Sequence, residues 1–229
     1  MFLYGFGPMI WAGTLVTLEL AVMSLLLAFV IGLIGAAAKL SSQPLLRVVS
    51  TLYTTLIRGV PDLVLMLLIF YSLQIWLNML TDWRHMDQIN LDPFVSGVIT
   101  LGFIYGAYFT ETLRGAFMAV PSGQIEAGRA YGMSHWQVFH RIQFPQMMRF
   151  ALPGISNNWQ VMLKATALVS IIGLADVVKI SIDAGKSTYK VFFFTIVAGV
   201  VYLLLTTVSN FVLMWLERRY STGVREAEL

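Results

Sequence analysis

The apolar positions of this chain fall in long, nearly unbroken runs, with the polar positions gathered between them. Leu20–Ala38 carries no charge and extends upstream to Ile10 if Glu19 lies within it. Uncharged runs follow at Leu63–Leu80, Pro93–Thr110 and Val191–Leu216, and Phe150–Ala175 is interrupted only by Lys164. A helix that crosses a bilayer needs roughly 20 mostly apolar residues. The pattern therefore predicts five transmembrane helices and an all-α integral membrane protein. Ahead of the second run, Pro44–Ile57 reads as an amphipathic helix, and Pro61 after Gly59 breaks the chain between that helix and the span.

Composition points to the same solvent. The 229 residues are 58% hydrophobic and 12% charged, whereas soluble domains carry roughly a quarter charged residues. So few charges cannot cover a water-facing surface. Without cysteine there is no disulfide framework and no thiolate metal site. His85, His135 and His140 lie in loops without ligand spacing, so no metal site is expected. The N-terminus, "MFLYGFGPMI", lacks a basic leader region, and the first span is expected to be retained as its own insertion signal.

Five spans put the termini on opposite faces, and basic residues orient them. With the N-terminus outside, the inner loops hold Lys39, Arg47, Arg58, Arg114, Arg129, Arg141, Arg149, Arg218, Arg219 and Arg225. The outer loops then hold only Arg84, Lys179, Lys186 and Lys190. Residues 1–9 are thus expected outside, 10–216 in the membrane domain, and 217–229 in an inner tail.

The longest polar stretch, residues 122–145, falls on the inner side. "VPSGQIEAGRAYG" reads as a short helix with Ser122 as N-cap, Glu126 near the positive end of its dipole, and Gly132 as the left-handed residue that stops it. Ser134 and Gln137 form a capping box that starts a second helix, whose apolar face is Val138, Phe139 and Ile142 and which Pro145 ends. Such a segment can lie on lipid or dock a partner. A DNA-reading helix-turn-helix is excluded, because both ends are tied to spans within a few residues. No nucleic acid partner is expected.

The loop resembles the "EAA" loop of membrane subunits of type I ABC importers: Glu126, Ala127, Gly132, Ile142 and Pro145 stand in register with that pattern, while Gly128 and Phe144 depart from it. "YTTLIRGVPDLVLMLLIFY" and "NNWQVMLKATALVSIIGLADV" are similar to further blocks of the polar amino acid uptake branch. The resemblance implies that the loop docks an ATPase. It also implies a complex of two homologous permeases, two ATP-binding cassette subunits and a periplasmic amino acid-binding protein, in the inner membrane of a Gram-negative bacterium. The implied cargo is a basic amino acid (histidine, arginine, lysine or ornithine), with glutamine or cystine as the alternative. No GxxxxGK[ST] phosphate loop occurs, so ATP and Mg are expected on the partner and no cofactor on this chain. The glycine-rich run "GFIYGAY" reads as a helix-packing or kink site.

Polar residues inside spans mark function by default. Glu19, Asn157, Asn158, Gln160 and Lys164 are the candidates for a substrate pathway. Glu19 lies either within the membrane or at its edge, and Lys164 either lines the pathway or neutralises a buried acid. Glu111 and Arg114, three apart on one helical face, read as an ion pair. Asp62 reads as a cap or as a partner of Arg58, close to the inner end of span two. A proton-driven stand-alone carrier through Glu19, Asp62 and Glu111 is the reading from another class. An enzyme has no nucleophile–base pair to support it.

Overall fold

A computed structural model describes residues 2–220, which form nine α-helices with no strand among them. α1 (Gly7–Leu40) carries Pro8 in its first turn, where a fixed φ suits helix initiation. Its 34 residues extend about 51 Å. α2 (Pro44–Gly59) runs back along it. After Val60 in extended backbone and Pro61, the chain becomes helical again as α3 (Asp62–Trp83). α4 (Pro93–Met118) starts on Asp92, whose carboxylate accepts from the Val95 N–H.

α5 (Ser122–Ala130) and α6 (His135–Val138) form the loop between spans. A five-residue π turn, Phe139–Gln143, then leads without a break into α7 (Phe144–Ala165). α8 (Val177–Thr188) and α9 (Val191–Tyr220) complete the fold. α1, α3, α4 and α9 are each long and apolar enough to cross a membrane, and the run through α7 makes a fifth span when taken with α8.

The expected fourth span, Phe150–Ala175, is not one straight helix. The α-helix stops at Ala165, and Thr166–Ile172 tighten into 3-10 geometry. Gly173 then takes φ 105, and α8 departs at 54°. The turn is built from Gly173, which tolerates a left-handed backbone, and Asp176, whose side chain caps the Lys179 N–H at 2.8 Å. α8 packs on α1 and α9 at the end of the bundle remote from the 122–145 loop, around Ile10, Val177, Ala184 and Phe194. α9 continues through residue 216 to Tyr220. Arg225 and the rest of 221–229 lie outside the described residues.

α4 is the most enclosed span, and its contact with α1 organises the core. That contact is made by small residues. A Cβ on Gly102 would stand 2.5 Å from Leu27 Cδ2, and one on Gly106 would stand 2.6 Å from Ile31 Cγ2. In return, a Cβ on Gly32 of α1 would stand 2.5 Å from Phe109 Cβ of α4, and one on Gly35 would run into the Thr110 side chain. Lipid tails are as apolar as leucine, so close van der Waals contact, not apolar burial alone, draws such helices together. "GFIYGAY" is thus a packing site. Gly32→Ala should force α1 and α4 apart and lower the protein's stability by about 1–3 kcal/mol. Gly115→Ala, with nothing within 4 Å, should instead raise it by about 0.5–1 kcal/mol, as read by thermal unfolding of the detergent-solubilised protein.

Candidate functional site: the 122–145 loop and the polar groups of the bundle

The loop is a pair of short helices fastened to α7. α5 ends in a Schellman motif: Gly132 at φ 79 donates to the Arg129 carbonyl at 2.9 Å, and Met133 donates to the Gly128 carbonyl at 3.1 Å. The capping box is present, with Ser134 and Gln137 each bonding the other's backbone N–H. Two expected details differ. Pro121 is the N-cap of α5 and Ser122 its first helical residue, without a side-chain cap. Glu126 is the fifth of nine residues, past the first turn where the dipole acts.

Pro145 does not end the second helix either. It lies in the first turn of α7, preceded by the π turn in which the Phe144 N–H bonds the Phe139 carbonyl. The wider turn lets the helical run continue past a residue that has no N–H to give.

Gly128 is buried because Ile142 lies across it: a Cβ there would stand 2.6 Å from Ile142 Cδ1 and 3.3 Å from Val138 Cγ2. Ile125 packs into the cluster of Val120, Phe144 and Met147, and the Gln146 side-chain amide donates to the Gln124 side-chain oxygen. The opposite face is open, with Glu126, Ala127, Arg129 and Ala130 all exposed. Tyr131 is 86% exposed and Trp136 69%, the latter stacked on Phe139 at 5.8 Å. The five expected docking residues therefore divide. Glu126 and Ala127 face outward, while Gly132, Ile142 and Pro145 set the shape. Tyr131 and Trp136 escaped the sequence reading, because nothing in the pattern of a short polar helix says which aromatic side chains stay uncovered.

At the loop end of the bundle, Glu111 accepts from Arg114 Nε at 3.0 Å, the expected pair. It also pairs with Lys39 of α1, whose ammonium donates to Thr54 of α2 at 2.7 Å. One carboxylate thus joins α1, α2 and α4. Lys39 is 72 residues away in sequence, too far for local spacing to reveal it.

Asp62 forms no ion pair with Arg58. Its carboxylate accepts from the Tyr105 hydroxyl at 2.8 Å, while the Arg58 guanidinium lies over the Tyr108 ring at 5.4 Å. The helix break turns the two side chains to different partners. Tyr105 is midway along α4, so the α2–α3 break sits level with the middle of α4.

The α7 amides mostly bind neighbouring helices. Asn158 donates to Thr112 Oγ1 at 3.0 Å, Gln160 to Asn210 at 3.2 Å, and Ser156 to Glu217 at 2.9 Å. Asn157 and Lys164, seven residues apart and hence on one face, are exposed. Glu19, the thirteenth residue of α1, is exposed too. Among the described residues, no hydrogen bond or ion pair joins it to α7.

Comparison with known proteins is consistent across the chain. Residues 28–222 match the family described as "Binding-protein-dependent transport system inner membrane component". The chain is 65% identical to the histidine/lysine/arginine/ornithine transport system permease protein HisQ of Salmonella typhimurium, over 99% of this chain and 100% of that protein. It is 38% identical to the octopine transport system permease protein OccQ of Rhizobium radiobacter, over 97% of each. A solved amino acid ABC transporter with histidines superposes with a TM-score of 0.78 at 32% identity, covering 93% of this chain and 95% of that one.

A double-mutant cycle on Lys39 and Glu111 in thermal unfolding should return a coupling energy of about 0.5–3 kcal/mol. Gly132→Ala, which places a Cβ at φ 79, should cost about 1–2 kcal/mol and speed hydrogen exchange at the Gly132 and Met133 amides, with that at α4 unchanged.

Proposed function

Because the chain belongs to the family of binding-protein-dependent transport system inner membrane components, we propose that it is a permease subunit of an ATP-driven importer of basic L-amino acids. It is not itself an enzyme, and ATP hydrolysis falls to a separate subunit. The observation that carries the reading is the 65% identity over 99% of the chain to a permease of that specificity. The loop supplies the physical link: an exposed Glu126–Ala127 face on a helix that the Gly128–Ile142 contact locks to a span.

In this reading α5 docks in one of two ATP-binding cassette subunits, which hold ATP and Mg. A second homologous permease completes the membrane unit, and a periplasmic binding protein delivers cargo. Residues 1–9 face the periplasm and the chain beyond 216 faces the cytoplasm, as the basic residues favour. Closure of the ATPases pulls α5, and its fixed contacts carry that displacement into α7 and α4. Glu111, bonded to Lys39 and through it to Thr54, couples α1 and α2 to the same movement.

Asn157 and Lys164 stand on the substrate pathway, since exposed polar groups on a span need water or a protein partner, not hydrocarbon. Lys164 shares the charge sign of a basic side chain, so it suits the cargo's carboxylate. Glu19 suits the cationic end, while Asn158 and Gln160 border the path from their interhelical bonds.

Reconstitution in nanodiscs with the neighbouring permease and ATPase tests this directly. ATP hydrolysis should rise with binding protein loaded with arginine or histidine, and not with glutamine. Equal stimulation by glutamine would move the cargo to another polar amino acid, and no assembly with an ATPase would end the docking reading. Glu126→Lys should reduce ATPase assembly at least tenfold while the permease remains folded. For topology, a cysteine introduced at Asp87 should react with an impermeant thiol reagent added outside intact spheroplasts, and one at Glu126 should not.

A further inference from the structure

Between α1 and α9, on the half of the bundle remote from the 122–145 loop, lies a groove of about 740 Å³. Its wall runs from Leu3 and Gly7 to Leu18 on one side and from Val201 to Ser209 on the other. The two hydroxyls in that wall are already satisfied: Thr14 donates to the Ile10 carbonyl and Ser209 to the Leu205 carbonyl, both at 2.7 Å. Only an apolar chain gains by filling such a space. From Gly7 to Leu18 the groove covers about 17 Å of helix, close to one leaflet, or half of a hydrocarbon core of roughly 30 Å.

A cation stands beside the Leu3 end. Lys190 Nζ sits 4.2 Å above the Tyr4 ring and donates to the Tyr4 hydroxyl at 2.5 Å. Among the described residues, no carboxylate is within ion-pair distance of it. Leu3 and Tyr4 take left-handed φ values of 52 and 53, which bulky residues rarely adopt. The Tyr4 ring is held against Phe193 and Phe194 at 5.9 and 6.3 Å. The backbone is thus bent to place a phenol and an ammonium together, next to Leu3. The ammonium keeps donors to spare, and the phenol, accepting from lysine, still has its own O–H to donate.

We propose that this groove binds an anionic phospholipid of the leaflet remote from the loop. One acyl chain lies between α1 and α9, and the phosphate is held by Lys190 and the Tyr4 hydroxyl. The occupant is set by two features one residue apart in the chain: an apolar channel one leaflet deep that Leu3 lines, and at Tyr4 a cation without an acidic partner among the described residues.

The test is native mass spectrometry of the full chain, expressed with its neighbouring transporter subunits and extracted in mild detergent. Phosphatidylglycerol or phosphatidylcholine of matched chain length is added, and lipid adducts on this chain are counted after subunit release. Phosphatidylglycerol should be retained about fivefold more, the effect of one cation at a membrane surface. Lys190→Gln should abolish that preference and Lys190→Arg should keep it. Leu204→Trp, which fills the groove, should remove adducts of both lipids. Equal retention by the unaltered chain, or a preference that survives Lys190→Gln, would overturn the proposal. So would a photocrosslinker at Leu204 that captures a protein helix and no lipid. If Leu204→Trp lowers the unfolding temperature, the Lys190 pair decides alone.

Discussion

Everything else in the structure hangs on how closely α1 approaches α4. In a bilayer no water is expelled when two helices meet, so their attraction depends on the number of atoms brought to van der Waals distance. Glycines on both helices receive the other's side chains, Gly32 and Gly35 taking Phe109 and Thr110, and Gly102 and Gly106 taking Leu27 and Ile31. With that pair fixed, α2 lies across it, tied by the Ser50 hydroxyl to the Gly35 carbonyl and by the Tyr53 hydroxyl to the Phe103 carbonyl. α7 then closes on α4 through Gly154, where a Cβ would stand 2.5 Å from Thr112. α3 and α9 remain largely exposed within this chain.

The parts of this arrangement that depend on neighbours in sequence were legible beforehand. Long apolar runs mark α1, α3, α4 and α9, and the Schellman glycine and capping box of the loop are local devices that announce themselves in a few residues. What stayed hidden depends on depth or on distance along the chain. α2 is amphipathic in sequence, yet its most apolar side is not the inward one: Ser50, Thr54 and Ile57 are buried while Leu45, Val49 and Leu56 are exposed. Amphipathicity gives a face, and only the solvent says which way it points. The bend after Ala165 was missed because an apolar run conceals a change of helix type, although "GLAD" holds both the glycine and the cap that cause it.

Among the polar groups the same rule holds. The Glu111–Arg114 pair was visible at three-residue spacing, whereas Lys39 belongs to another helix. Asp62 and Arg58, four apart, would meet on a continuous helix, and the extended Val60 between them sends one to Tyr105 and the other to Tyr108. Asn157, Asn158 and Gln160 stand together in sequence as candidates for the substrate pathway, but adjacent helical positions point in different directions. Asn158 and Gln160 therefore bond to different helices, and Asn157 makes no such bond among the described residues.

The π turn at Phe139–Gln143 bears on more than Pro145. A π turn holds one residue beyond what an α-helix would use, and each residue corresponds to about 100° of rotation. It therefore acts as a phase offset between the loop and the membrane. α7 keeps the face that its partners inside the bundle require, while α6 and α5 are turned to a heading of their own. The direction in which Glu126 points is thus written in the count of residues between the two helices, and removing one would swing the loop round the axis of α7 without touching a single residue on its exposed face.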